Sequence, residues 1–507
     1  MGNDKPIRHA RAARGLSMGF LLAFLTLMGP VRAEELLETS PFHDANHDPN
    51  GGEPQADPPA PARPPAAARK PHMPAPARPA AVARKPHMPA LRPSAAAAKK
   101  GPKTPFPKLP PSPPAAVAQG PTTLFPGLQP PWRAQVKDWR KQLYDNYGIT
   151  FGASYQQLFQ WASKTVPSAP TDTALGGWAA ASVTWAALDR DGPNQGTLVA
   201  RFGWRDSIGD NAVPAQFGVG YLGAIWSNYE WTSWNGHVRV EDLFWEQKLG
   251  GDRFLVRVGN LGPQSLFNFF RFKDARTSFT ASPLAFGETI PYPTFGLGTA
   301  FRSRPIPGSG LYFVGTLNDM NGDPAANGLD WSTFGLGQYF YGLEIGNDWR
   351  RENGEFDHLH LDLFYADKRS TRNPSTSLNT AGGGFKIAGE KQLGNLVGFA
   401  NYTYNTAEGG GISATLAGQT AVAGISYLRP FGNSGEASIA GMWSQILPGL
   451  QPSGSSRKDQ FGIDAYWNIG LTPNSTLTPG IQLIFNPVLN PGTDFVAVPS
   501  IKFRVFF

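Results

Sequence analysis

From Ile149 to Phe507 the apolar positions of the chain recur with a period of two. In ITFGASYQQLFQW, Ile149, Phe151, Ala153, Tyr155, Phe159 and Trp161 share one face of an extended chain, while Thr150, Gly152, Ser154, Gln156 and Gln160 share the other. The alternation returns repeatedly. Leu198, Ala200, Phe202 and Trp204 oppose Thr197, Arg201 and Gly203; Leu359, Leu361, Leu363 and Tyr365 oppose His358, His360 and Asp362. Phe461, Ile463, Ala465, Trp467 and Ile469 oppose Gln460, Asp464 and Asn468; Ile481, Leu483 and Phe485 oppose Gly480, Gln482 and Asn486. The pattern predicts sixteen strands, starting near 149, 174, 196, 236, 252, 294, 310, 334, 357, 379, 396, 418, 434, 459, 475 and 493. Ahead of them, Trp132, Val136, Trp139, Leu143 and Tyr147 recur at helical spacing, and Gly148 ends that helix.

A soluble sandwich also alternates, so the polar face has to decide the class. It carries charges and amides that a packed core would leave unpaired at high cost, but that a water-filled lumen would hydrate. Many of the strands end in Trp, Tyr or Phe, as strands do where they meet membrane interfaces. The expected connections are mostly short after even-numbered strands, as at Gly250-Gly251, 305–309, Gly432-Asn433 and 472–474. They are mostly longer after odd-numbered strands, above all near 207–235 and 261–293. An even strand count with short turns at one end and long loops at the other predicts an all-β, transmembrane outer-membrane barrel of about sixteen antiparallel strands. The final strand, DFVAVPSIKFRVFF, ends on an aromatic residue and resembles the C-terminal signal of such barrels.

Composition adds what precedes the barrel. Lys5, Arg8, Arg11 and Arg14, the apolar run from Leu16 to Met28, and Val31-Arg32-Ala33 read as a signal peptide over 1–33. No later apolar run approaches the roughly 18 residues of a spanning helix. Residues 34–57 are acidic and polar and read as a solvated tail; Pro49 and Gln55 break the calcium-loop pattern begun by Asp44, Asn46 and Asp48. Residues 58–131 hold eleven Lys or Arg and no Asp or Glu, with PARPPAAARKPHMPA from Pro61 followed by PARPAAVARKPHMPA from Pro76. This segment cannot bury a core, and its prolines favour a linker reaching up to about 230 Å at roughly 3.1 Å per residue. It is either a passive spacer or a periplasmic tether to anionic partners such as peptidoglycan. From Trp132 onward there are 29 basic and 30 acidic residues, so the net charge of +7 comes from the tail and does not imply nucleic acid. With no Cys, disulfides, thiolate metal sites and Cys nucleophiles are excluded.

Four stretches, in this order and spacing, resemble the carbohydrate-selective porins of the OprB type: WRAQVKDWRKQLYDNYGITFGASY, VEDLFWEQKLGGDRFLVRVGNLGPQSLFN, TFGLGTAFRSRP and LTPGIQLIFNPVLNPGTDFVAVPSIKFRVFF. The resemblance spans roughly 132–507. It implies an outer-membrane barrel, embedded in outer-membrane lipid, that passes mono- or oligosaccharide solutes without a cofactor. A less selective general porin and a barrel that also anchors the cell wall through its tail are the alternatives. An enzyme is not expected, because the folded part has only His237, His358 and His360, none in a recognisable catalytic setting.

A sugar path needs donors and acceptors for hydroxyls and rings for C–H faces, held weakly enough to release. Arg239 and Glu241 alternate with Val238 and Val240, and Arg257 with Val256 and Val258, so these three charges are expected to point inward. The loop after them carries Arg271, Lys273, Asp274, Arg276 and Glu288 with Phe269, and long loops of barrels this size commonly fold inward. The earlier loop brings Trp226, Trp231 and Trp234, for which a place at the outer rim is expected ahead of sugar contact. His358, His360 and Asp362 share a face at a spacing open to a metal but read as lumen wall, and Pro324 interrupts a calcium-like Asp319/Asn321/Asp323 run. No metal is expected.

Overall fold

A computed structural model describes residues 122–228, 231–285, 289–293, 295–322, 328–329, 331–369, 380–408 and 416–507. The signal, acidic and most of the Pro/Ala-rich segments expected before the barrel lie outside these residues, as does Glu288.

The extended segments are β1 (Ile149–Trp161), β2 (Thr173–Leu188), β3 (Gly196–Ser207), β4 (Val238–Leu249), β5 (Phe254–Leu261), β6 (Gly296–Ser303), β7 (Leu311–Asp319) and β8 (Tyr339–Arg350). They continue as β9 (Phe356–Ala366), β10 (Gly382–Leu393), β11 (Leu396–Asn405), β12 (Ala417–Leu428) and β13 (Glu436–Ile446). Strand β14 has two segments, Asp459–Trp467 and Ile469–Thr472, both paired to β15 (Ser475–Phe485). β16 (Phe495–Phe506) pairs with β15 and, from Ser154↔Phe506 to Gln160↔Ser500, with β1. Every neighbour is antiparallel and the first strand meets the last, so the sheet is a closed sixteen-stranded barrel with no edge.

The strand starts match the alternation closely. The largest offset is at β8, expected near 334 and observed at Tyr339, because Phe334–Leu336 forms a single 3-10 turn ahead of it. The short turns gather at one end and the long connections, 208–237 and 262–295 foremost, at the other.

The faces sort as the period of two predicts. Tyr155, Phe159, Trp161, Phe202, Leu363, Tyr365, Phe461, Ile501 and Phe503 are exposed on the outside, while Gln156, Gln160, Arg201, Asp362, Asp464 and Lys502 are buried within. The outside carries aromatic pairs toward the strand ends, including Tyr341–Tyr365 and Phe485–Phe495 toward the long-loop end. Such an exterior is stable in hydrocarbon, where a closed barrel satisfies its backbone internally.

One correction concerns the lumen, which is not polar throughout. Leu158, Val397, Phe399, Val422, Ile484, Val496 and Val498 also point inward, and they are dry because the two longest loops fold into the barrel and pack on them. Phe217, Leu222, Trp226, Phe272 and Phe279 supply the loop side of this interior. At about 25 cal/mol per Å² of apolar surface removed from water, this packing favours seated loops over solvated ones.

At the short-turn end, helix α1 (Arg133–Tyr147) stops where Gly148 takes a left-handed φ of 72° and returns its N–H to Tyr144 O. A Cβ there would sit 2.6 Å from Ala186 O. Trp139 packs on Phe151 and Trp132 on the C-terminal Phe507. The described chain begins at this same end: Thr122 donates to and accepts from the Gly432–Ser434 turn, and Leu124 and Phe125 bond to Gly470 and Leu471.

Candidate functional site

The described residues of the segment 262–295 cross the lumen, and their seating follows from polar groups on the inward faces of distant strands. On one side the Asn268 N–H donates to Glu344 of β8 at 2.6 Å, and Lys386 of β10 donates to Asn268 Oδ1 at 2.5 Å. Arg271 reaches Glu390 (3.3 Å), Gln392 (2.9 Å) and Phe356 O (3.1 Å). On the other side Asp464 of β14 accepts from Thr280 N (2.8 Å) and Ala281 N (2.7 Å). Lys502 of β16 donates to Ser278 O (2.5 Å) and Phe279 O (3.2 Å). Hydrogen bonds to ionised groups are stronger than neutral ones, so both ends of the crossing are fixed. Burial, with the Asp362 and Glu344 carboxylates nearby, pushes the Tyr292 phenol well above its usual range, so it stays neutral while accepting from Asn268 Nδ2 at 2.8 Å.

Arg239, Glu241 and Arg257 do point inward: Val238 is 63% exposed outside and Glu241 0%. Each, however, has company. Glu241 accepts from Arg205 at 2.8 Å, and the Arg205 guanidinium lies between Trp178 (3.8 Å) and Trp234 (4.8 Å). Arg239 lies 5.3 Å over Trp234. Arg257 donates to Glu246 at 2.8 Å and to Ser265 O at 2.6 Å, with Phe244 beneath it. Arg257 and Glu246 line a recess near α1, together with Tyr144 and Thr197, apart from the Arg205–Glu241 group.

The β3–β4 ladder slips at Glu241, since Arg201 faces Asp242 while Phe202 faces Val240. The extra residue lets Glu241 and Asp242 both turn inward, and Asp242 pairs with Arg201. A strict alternation cannot show this.

Along the crossing, Lys273 is buried and its Nζ lies 3.5 Å from Asn268 O. Asp274 and Arg276 form a two-point pair (2.7 and 3.0 Å), Arg276 lies 5.4 Å over Trp178, and Arg504 is 3.8 Å from Asp274. Here surface remains open: the Asp274, Arg276 and Arg504 side chains keep 16, 10 and 20% of their exposure. Phe269 stays half-exposed beside Phe356 and His358.

Trp226, Trp231 and Trp234 are not at a rim. Each is 1% exposed, packed between loop and wall, and Trp231 meets Trp178 edge-on. An aromatic-rich loop looks the same in sequence whether it caps a barrel or enters it.

The residues missed as seats for the crossing are Glu344, Lys386, Glu390, Asp464 and Lys502. All stand at inward-facing positions, so alternation marks them as lumen wall, but nothing in the sequence names their partners in the loop.

No protein-family model matches the chain, and no curated protein sequence matches it. Solved structures do. Pseudomonas putida OprB in its high-pH structure is 14% identical, with 73% of this chain and 97% of that chain covered and a TM-score of 0.58. Salmonella typhi OmpF in complex with daunomycin is 12% identical over 70% of this chain and 97% of that one, at a TM-score of 0.42. A Rh. blastica porin mutant is 14% identical over 70% and 99%, at 0.39. The chain shares the closed-barrel fold of Pseudomonas putida OprB.

Proposed function

We propose that this chain is a passive outer-membrane channel that lets sugars diffuse into the periplasm. One observation carries the reading: six arginines come with carboxylates. Arg201 pairs with Asp242, Arg205 with Glu241, Arg257 with Glu246, Arg271 with Glu390, Arg276 with Asp274 and Arg304 with Asp348. Such a wall offers a solute many donors and acceptors but little net charge, which suits neutral polyhydroxyl compounds better than ions. The Asp274–Arg276–Arg504 group is the favoured contact, since it retains surface and has Trp178 and Phe506 rings beside its guanidinium groups. The resemblance to carbohydrate-selective porins and the fold shared with Pseudomonas putida OprB support the same reading.

Swelling of proteoliposomes tests it. Monosaccharides should enter faster than amino acids of similar size with a net charge; equal rates would favour a general porin. For the tail, departure of the chain at the short-turn end, the periplasmic end of such barrels, supports a periplasmic tether. Deleting residues 54–130 should leave sugar flux intact and lower retention on isolated peptidoglycan at low salt.

A further inference from the structure

Beneath the Asn268 seat, strands β8 and β9 bring together side chains that channel wall alone does not explain. One ligand atom from each of Glu344, His358 and His360 lies within 4.8 Å of the others, and all three residues are buried. Asp348 Oδ1 stands 2.7 Å from Nδ1 of His358, which leaves Nε2 as the free corner of that ring. That Nε2 lies 2.8 Å from Nδ1 of His360 and 3.1 Å from Tyr312 Oη. On its far side His360 turns Nε2 toward Asp362, 3.4 Å from Oδ2.

Proton counting shows a deficit. If each ring gives its proton to its carboxylate, the His358 Nε2 and His360 Nδ1 lone pairs face each other at 2.8 Å, with the Glu344 carboxylate close by. Tyr312 has one proton for these acceptors and directs it at Glu344 Oε1, at 2.5 Å. The other His360 tautomer moves the deficit to Asp362. Among the described residues, His360 Nε2 and the Asp362 oxygens are buried and meet at a long contact of 3.4 Å, and the carboxyl group that faces Asp362 is Glu344, a further acceptor. Of the nearby charges, Arg304 pairs with Asp348, Arg271 with Glu390, Lys386 faces Asp362 across the sheet, and the Lys273 cation also lies near Asp362 and His360. A cation at the convergence of the lone pairs removes the conflict.

We infer that Glu344, His358 and His360 bind a divalent first-row metal ion of the zinc class, with Tyr312 or a water at the fourth position. Two imidazoles and a carboxylate are a borderline donor set that such ions prefer over calcium or magnesium. A carboxylate behind each ring nitrogen that does not bind is the usual support of metal-bound histidine. Tetrahedral ligands at about 2.0–2.2 Å from zinc stand roughly 3.3 Å apart, so the rings need part by only about half an ångström. Because Glu344 also accepts from Asn268, the ion would brace the wall on which the crossing rests.

The test is zinc bound per barrel, using untagged full-length protein refolded in detergent with zinc chloride and then desalted. Wild type should retain one zinc more than His358→Ala/His360→Ala; the tail histidines are common to both and cancel. Heat-modifiable migration checks folding, and Glu344→Gln, which preserves shape, should weaken zinc binding at least tenfold even where the double variant folds poorly. Cobalt in place of zinc should give the visible bands of a tetrahedral site in wild type alone. Equal zinc in wild type and Glu344→Gln, with no cobalt bands, would overturn the proposal and leave a proton shared by the two rings.

Discussion

Replacing Asp464 by alanine should loosen the loop that crosses the lumen without opening the barrel. Its carboxylate accepts from two loop N–H groups, at 2.8 and 2.7 Å, and is 1% exposed. Each charge-assisted bond is worth about 1.5–3 kcal/mol, and each donor left bare costs further desolvation. Water entering from the lumen recovers part of this, so a net cost of about 2 kcal/mol is expected. At about 1.4 kcal/mol per factor of ten, the ratio of displaced to seated loop should rise roughly thirtyfold. The ladders to Ala440 and Gln482 are untouched, so the barrel should still form. In a planar bilayer the variant should spend more time in higher-conductance levels, with larger open-channel noise. Asp464→Asn, which keeps one acceptor, should fall between. Faster hydrogen exchange at 278–284 is the matching signal in solution. Folded Asp464→Ala channels with wild-type conductance and noise would refute the claim that this carboxylate seats the loop.

Glu241→Ala should leave the Arg205 guanidinium buried between two indoles without its carboxylate, a loss of about 3–5 kcal/mol for a broken buried pair, read as a lower temperature of heat modification. An unchanged temperature would mean that lumen water already carries that charge. Phe507→Glu should reduce the amount of folded barrel in the outer membrane, because Phe507 exchanges two backbone hydrogen bonds with Ala153 at barrel closure and packs on Trp132. Normal folded amounts would contradict a role for the last residue. Arg276→Ala should weaken current block by sugar while ion conductance holds or rises, since it removes a donor and opens space beside Trp178; wild-type block would move the contact away from the Asp274 group.

Much of the barrel could be read from the sequence because strand faces report a local rule. Period-two runs mark where the wall is, and Gly250-Gly251 or Gly432-Asn433 mark where it turns. Three features lay outside that rule. The extra residue at Glu241 reverses the parity of β4 partway along, so Asp242 faces inward against expectation. Val496 and Val498 occupy lumen positions that a wet pore would make polar, and they make sense only with a loop packed on them. The bonds of Lys502 to Ser278 and Asp464 to Thr280 join residues about two hundred apart, a distance over which alternation carries no information. The tryptophans of the earlier loop fall in the same class. Arg239, Glu241 and Arg257 were legible as inward charges, but their partners, Trp234, Arg205 and Glu246 in turn, were not. His358 and His360 were visible as a pair; Glu344, on the adjacent strand, was visible only in the fold.

Ion current through the purified protein in a planar bilayer, recorded while a monosaccharide and then a disaccharide are titrated on each side, tests the central claim most directly. A sugar channel should show a saturable fall in current, beyond what the viscosity of the solution produces, and a weak preference between cations and anions of a simple salt. Current that follows bulk viscosity alone, or a strong preference for ions of one sign, would contradict it.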